Sequence, residues 1–292
     1  MIDRILYLLL WLVIQVLGRI PAWLQELLAG VMVRLYGWVG PKEVAVLRQN
    51  VARIYGLPPG SHFAKMFETQ VLRHQVLAAL DVFTFFCNPQ KITIEGLETV
   101  KEQFAADTQS GRIVCTAHIG SWEFCALVVA KISGRTFHVL AKPSRNKAVT
   151  QMLDQFRQKM GSKVLWTDRK SLLRDMLGAL KSGDCLGFVM DQKPEGRKGP
   201  QVSFFDQPTA FVSGPASIAL KTKAPIYTIY CFRRKAHTYQ VKVVPISYDP
   251  GKDTEESLTQ ALAANIEANI RAYPEQWTWN YRRWKLTPTS TG

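Results

Sequence analysis

The chain has 292 residues, 47% of them apolar, which is ample for a buried core and excludes an intrinsically disordered protein. Its 37 Lys and Arg against 23 Asp and Glu give a formal charge of +14, so the anionic partners to separate are nucleic acid and a membrane surface. Cys87, Cys115, Cys125, Cys185 and Cys231 are odd in number and widely spread without a Cys-x-x-Cys pair, which reads as a reducing compartment and no zinc site.

Residues 5–18 form an uncharged run between Arg4 and Arg19. As a helix it reaches about 21 Å, short of a hydrocarbon core of about 30 Å. A second run, 20–33, precedes Arg34, Tyr36 and Trp38. The pattern over 1–40 predicts a helix or helical pair lying in the membrane interface, with aromatic and arginine anchors. A tilted span drawing in residues 1–18 and a buried core helix are the competing readings. A cleaved signal fits less well, because Asp3 cancels Arg4 and no Ala-x-Ala site follows cleanly.

From 41 to 90 the periodicity is helical, with a basic stripe of Lys42, Arg48, Arg53, Lys65 and Arg73, and a break at Pro58-Pro59-Gly60-Ser61. Beyond Asn88-Pro89, short β-rich runs at 91–95, 112–117, 136–141, 163–166, 185–190, 226–232 and 239–244 alternate with helical stretches, notably 122–132, 148–160, 170–181, 215–222 and 255–273. The alternation over 91–286 predicts an α/β domain with a central, largely parallel β-sheet flanked by helices. The tail 287–292 reads as disordered, and no repeat or low-complexity tract is present.

The most informative stretch is Thr116-Ala117-His118-Ile119-Gly120-Ser121-Trp122-Glu123, which follows the apolar run Ile113-Val114-Cys115. On an unbroken helix a five-residue step rotates about 140°, so His118 and Glu123 would diverge. Gly120 and Ser121 supply a turn and an N-cap, which places His118 at a strand end and Glu123 in the first turn of a helix, both facing one cleft. A neutral imidazole held by a carboxylate can take the proton of a hydroxyl attacking a thioester. An acid in a first helical turn is also favoured by the helix dipole alone, so the spacing by itself is a weak signal. In open α/β sheets ligands gather at the carboxyl ends of strands, which marks Arg169, after the run ending at Trp166, and Asp191 and Gln192, after Met190. Arg169 can fork onto a phosphate or carboxylate, or simply open a solvated helix. Asp191 can bind a hydroxyl or position Arg169. His62, His74, His138 and His237 have no metal spacing and read as surface or core residues.

In this order the blocks resemble the lysophospholipid acyltransferase superfamily, and within it the late acyltransferases of lipid A biosynthesis (the lauroyl and myristoyl acyltransferases) and relatives that acylate other glycolipids. His118 and Glu123 match the His-x4-Asp/Glu block, Arg169 the arginine of the second, Asp191 and Gln192 the pair before the third, and Pro225 the proline of the fourth. Val202-Ser203-Phe204-Phe205 with Thr209 and Gly214-Pro215-Ala216, Arg48-Gln49-Asn50-Val51, and Trp277-Thr278-Trp279-Asn280-Tyr281-Arg282-Arg283-Trp284-Lys285 are further landmarks. Tyr281 stands where members carry histidine, and Pro194-Glu195-Gly196-Arg197 echoes the glycerol phosphate branch without its threonine.

The resemblance implies transfer of a fatty acyl chain from acyl carrier protein or coenzyme A to a hydroxyl of a membrane lipid, a lipid A precursor being the first expectation and a lysophospholipid or another glycolipid the alternatives. His118 would be the general base, Glu123 its orienting carboxylate, N–H groups near Gly120 the oxyanion donors, and Arg169, Asp191 and Gln192 substrate contacts. No cofactor or metal is expected, nor a nucleic-acid partner; the expected location is the cytoplasmic face of a bacterial inner membrane with an anionic surface. Trp122, Phe124, Phe204 and Phe205 are candidates for an acyl slot, and Arg233-Arg234-Lys235 and Arg282-Arg283 for docking, although core and solvated-loop roles are the ordinary ones for such residues. A non-catalytic basic membrane-binding protein and a hydrolase in which His118 activates water are the rival readings.

Overall fold

The computed structural model describes residues 2–105, 111–194 and 199–284. The tail 287–292 and most of Pro194-Glu195-Gly196-Arg197 therefore lie outside the described residues, as does Lys285. In chain order the elements are α1 (Ile2–Leu17), α2 (Ala22–Val39), α3 (Pro41–Tyr55), α4 (His62–Cys87), β1 (Thr93–Glu95), α5 (Leu97–Ala105), β2 (Arg112–Thr116), α6 (Trp122–Ser133), β3 (Phe137–Ala141), α7 (Lys147–Lys159), β4 (Ser162–Trp166), α8 (Leu172–Lys181), β5 (Cys185–Val189), β6 (Gln201–Phe204), β7 (Gln207–Ala210), α9 (Gly214–Thr222), β8 (Ile226–Lys235), β9 (Thr238–Ile246) and α10 (Glu255–Ala272).

Seven strands form the central sheet in the order β1-β9-β8-β2-β5-β3-β4. β8, β2, β5, β3 and β4 run parallel, while β9 is antiparallel to β8 and parallel to β1. Every residue of β2 is buried, as a strand covered by helices on both faces must be. The period-2 geometry divides it: Ile113 and Cys115 join a core with α8, α9 and α10, while Val114 joins one with α5 and α6. The predicted strands are all present. The sequence reading lacked α5 and the antiparallel hairpin β6-β7, whose two-residue turn is Phe205-Asp206, both at positive φ.

α1 packs on α4 and α7, with Ile14 against Met152 and Phe156. Leu8, Leu9, Leu12 and Val16 of α1 and Trp23, Leu27, Leu35 and Trp38 of α2 remain exposed, Trp38 by 88%. Among the described residues no helix is long and apolar enough to cross a membrane, so the tilted-span reading of 1–18 is not what the fold provides. Large exposed apolar patches on helices with arginine anchors suit an interfacial position. Pro58 and Pro59 separate α3 from α4, which Ser61 caps through Ala64 N–H at 3.3 Å.

Candidate active site

Strand register builds the centre of the site. In the parallel pair β2-β5, Thr116 lies opposite Val189, so the residues two beyond each, His118 and Asp191, emerge side by side above the sheet. Asp191 Oδ1 lies 2.8 Å from His118 Nδ1, and its Oδ2 accepts the His118 backbone N–H at 3.1 Å and the Trp277 indole N–H at 2.7 Å. Asp191 is 3% exposed. Burial alone would raise its pKa, but the imidazolium charge and these hydrogen bonds outweigh it and hold the carboxyl below its ordinary value. Burial likewise disfavours the His118 imidazolium, yet the Asp191 charge and hydrogen bond, with Glu123 behind them, place its pKa above the ordinary histidine value. Nδ1 is thereby fixed as the protonated nitrogen, and Nε2 is left as the basic atom, 3.4 Å from Gln192 Nε2.

The turn after His118 requires glycine at 120. Gly120 has φ +61°, and a Cβ there would meet the Cys231 carbonyl oxygen of β8 at 2.1 Å. The Gly120 N–H donates to Gln276 O and the Ser121 N–H to Cys231 O, both at 2.9 Å. These two amides are thus committed to the turn, which leaves the oxyanion donors expected near Gly120 to be sought among the next amides of the helix start. Ser121 stands at the N-cap of α6 but makes no side-chain cap, another departure from expectation.

Glu123 faces the same cleft as His118 but is held by Arg157 of α7 through two bonds, 3.0 Å to Nη2 and 3.3 Å to Nε. The carboxylate that orients the imidazole is Asp191, where the sequence reading had placed Glu123. Arg169 is exposed beyond β4, three strands from β2 and so about 14 Å away at ordinary strand spacing. It lines an open polar groove along the sheet edge with Lys163 and Trp166 and is not brought to His118.

The segment 276–284 braces this arrangement and was visible in the sequence only as a landmark. Thr278 donates to the His118 carbonyl through both N–H (3.0 Å) and Oγ1 (2.9 Å), and Ile119 pairs with Trp277. Asn50 Nδ2 of α3 donates in turn to Trp279 O and Tyr281 O at 2.7 and 2.8 Å. Tyr281 accepts the Lys193 N–H on its hydroxyl at 3.1 Å, which pins the chain just past Gln192. Three stretches distant in sequence therefore converge: Asn50 holds the strap, Trp277 holds Asp191, and Asp191 holds His118.

Two cavities of about 290 Å³ meet at Trp122, Glu123 and Leu153. One has His118, Glu123, Arg157 and Gln192 at its rim and descends between α6 and the sheet past Val114, Ala126 and Val139 to Phe137. Gly187 leaves room for the Phe137 ring at that floor, since a Cβ there would stand 2.3 Å from it. The other lies under α4, lined by Ala78, Val82, Phe83 and Phe156, with buried His74 at one end. Of the expected slot residues, Trp122 lines both cavities, whereas Phe124, Phe204 and Phe205 are core. The expected docking arginines divide similarly: Arg234 and Arg282 are exposed, but Arg233 is bound to Asp81 at 2.8 Å and Arg283 is buried.

The sequence signature of the family described as "Bacterial lipid A biosynthesis acyltransferase" matches residues 3–286. The chain is 25% identical over 263 residues to the phosphatidylinositol mannoside acyltransferase of Mycobacterium tuberculosis (strain ATCC 25618 / H37Rv), covering 84% of this chain and 77% of that protein. It is 24% identical over 262 residues to the protein of the same name from Mycolicibacterium smegmatis, covering 84% and 80%. The lipid A biosynthesis palmitoleoyltransferase of Escherichia coli (strain K12) is 28% identical over 201 residues, 67% of this chain and 62% of that protein.

Proposed function

Because the chain belongs to the bacterial lipid A biosynthesis acyltransferase family and is an acyltransferase, we propose that it moves a fatty acyl chain from a thioester to a hydroxyl of a membrane glycolipid, with His118 as general base. The observation that carries this reading is the His118–Asp191 pair, with His118 lining a cavity whose wall also includes the apolar Val114, Ala126, Val139 and Phe137. In the proposed step His118 Nε2 takes the proton of the acceptor hydroxyl as its oxygen bonds to the thioester carbonyl carbon. The tetrahedral oxyanion collapses, the C–S bond breaks, and the thiolate leaves with the proton from the imidazolium. Asp191 stabilises that imidazolium and fixes the tautomer. Gln192 contacts the reacting atoms, and Glu123, neutralised by Arg157, orders the rim. The amides that open α6 at Trp122 and Glu123 are the remaining candidates to face the oxyanion. The chain being transferred lies in the cavity that ends at Phe137.

A lipid A precursor is the proposed acceptor, in line with the family description and the Escherichia coli relative, and a phosphatidylinositol mannoside-like glycolipid is the alternative that the mycobacterial relatives' names supply. Acyl carrier protein or coenzyme A supplies the thioester, no cofactor takes part, and nucleic acid is not a partner. α1 and α2 lay their exposed apolar faces on the cytoplasmic side of the bacterial inner membrane, where the basic stripe of Lys42, Arg48, Lys65 and Arg73, all exposed, meets anionic lipid.

The test is mass spectrometry of a bacterial membrane lipid extract incubated with the protein and acyl-loaded carrier protein, run beside His118→Ala. A lipid gaining one acyl mass only with the wild type supports the proposal and identifies the acceptor. Free fatty acid alone would replace transfer by hydrolysis, and an active His118→Ala protein would remove His118 from the mechanism.

A further inference from the structure

Of the two cavities that meet at Trp122, Glu123 and Leu153, only the one running to Phe137 has a part in the proposed transfer. The other, also about 290 Å³, is walled by Ala78, Ala79, Val82 and Phe83 of α4 and by Leu153 and Phe156 of α7. The glutamine, asparagine and threonine side chains that line it are already held by protein partners. Gln75 and Asn280 exchange two hydrogen bonds of 3.2 Å, Thr278 donates to His118 O at 2.9 Å, and Gln276 exchanges bonds of 2.9 and 3.0 Å with the Arg233 backbone. His74, which also lines it, is 9% exposed, and burial pulls its pKa down to about 4, so the ring is neutral at physiological pH. Glu123 is paired with Arg157. A guest here meets apolar walls and polar side chains with little left to offer, a lining that suits an aliphatic chain.

The position of the cavity identifies the chain. Trp122 lines both cavities and stands against His118, with ring centres 5.0 Å apart. With the donor's chain in the cavity that ends at Phe137, the acceptor hydroxyl has to come to His118 Nε2 from another direction. A chain in the second cavity reaches to within one indole ring of that imidazole. The cavity also adjoins the helices that carry the exposed apolar faces: Phe83 and Phe156 pack with Ile14 of α1, which exposes Leu8, Leu9, Leu12 and Val16. Ala79 both lines the cavity and is exposed, which marks an opening on α4.

We propose that this second cavity receives an acyl chain already carried by the acceptor lipid, so that acceptor and donor chains lie on either side of Trp122 and the acceptor hydroxyl is presented to His118. The acceptor is recognised by a fatty chain as well as by its headgroup. The roles of the two chains rest on the transferase reading; a hydrocarbon site between α4 and α7 does not.

The test fills the cavity with Ala79→Phe, a substitution at an exposed position, and follows transfer from acyl-loaded carrier protein to a bacterial membrane lipid extract. The half-saturating concentration of the extract should rise about tenfold, equivalent to losing the burial of roughly two methylenes, with the KM for the thioester unchanged. A rise in the thioester KM alone would give the cavity to the donor, and no change in either would leave it without a part in transfer; both results would overturn the proposal. A reading that needs no turnover uses dodecyl glucoside carrying a diazirine at the end of its chain, photolysed with the wild type and with the variant, the labels being mapped by mass spectrometry. Labels at Val82, Phe83 or Phe156 that vanish in Ala79→Phe are expected. Labels confined to α1 or to the cavity that ends at Phe137, or labels that persist in the variant, would overturn the site. Labelling of α4 and α7 that the substitution abolishes, in a protein that transfers no acyl chain, would keep the hydrocarbon site and remove the transferase reading.

Discussion

Two buried aspartates in this molecule hold a histidine in nearly the same way, and only one of them serves the cleft. Asp191 lies 2.8 Å from His118 Nδ1 and accepts an indole N–H from Trp277; Asp81 lies 2.7 Å from His237 Nδ1 and accepts the Tyr239 hydroxyl at 2.7 Å. The difference is Arg233, whose Nε donates to Asp81 at 2.8 Å and which also reaches Glu26 of α2. A guanidinium is always charged, so Asp81 is neutralised permanently and the group becomes a clamp joining α4, the β8-β9 hairpin and α2. Asp191 has no arginine within ion-pair distance among the described residues, and its partner is an imidazole, which can gain and lose charge. The same ingredients thus give a fastener in one place and, on the proposed mechanism, a proton-transfer pair in the other.

The largest expected effect tests the pair directly. His118→Ala should lower kcat/KM for acyl transfer by roughly 10⁴-fold, the upper range for a general base, with the circular dichroism spectrum unchanged. Next, Asp81→Asn should cost about 3 kcal/mol of stability in urea denaturation, because Arg233 would lose its close buried counter-ion and keep only Glu26, 3.6 Å away. Asp81 has a depressed pKa despite its burial, so its stabilisation is present above the unfolded carboxyl value of about 3.9 and is lost as pH falls through the lower folded value. A denaturation midpoint followed below that value would display it. Asp191→Asn should lower kcat/KM by about 10²-fold, less than loss of the base itself. Smallest of all, His237→Asn should cost about 1 kcal/mol, one hydrogen bond to a carboxylate that keeps two others, with kcat/KM unaffected. A large activity loss at His237, or none at Asp191, would erase the distinction between the two groups.

Much of the sheet was legible because its strands are apolar runs bounded by Gly, Pro and polar turns, and the register that sets His118 beside Asp191 follows once β2 and β5 are neighbours. That adjacency was the missing step. His118 and Glu123 are close in sequence and share the cleft, so spacing favoured them as partners, whereas Asp191 lies 73 positions away and Arg157 is 34 from Glu123. Spacing carries no information about which strands pair. The β6-β7 hairpin was hidden for a different reason. Its turn is the positive-φ pair Phe205-Asp206, where Asn-Gly is the usual signal. Phe205 holds that backbone through its N–H to Glu267 Oε2 at 2.6 Å and through its ring against Trp277 and Trp284. Arg283 reads as surface charge in sequence because nothing local foretells that Phe204 and Phe211 will enclose it.

The most direct test of the central claim, that Asp191 rather than Glu123 sets the charge state of His118, is the pH dependence of kcat/KM for acyl transfer in the wild type, Asp191→Asn and Glu123→Gln. A base must be neutral to act, so the rate should climb with pH through the His118 pKa, with a limb above the ordinary histidine value of 6.5. In Asp191→Asn the counter-charge is gone and burial dominates, so the limb should move below that value; in Glu123→Gln it should move little. A limb that stays in place in Asp191→Asn and falls in Glu123→Gln would contradict the assignment.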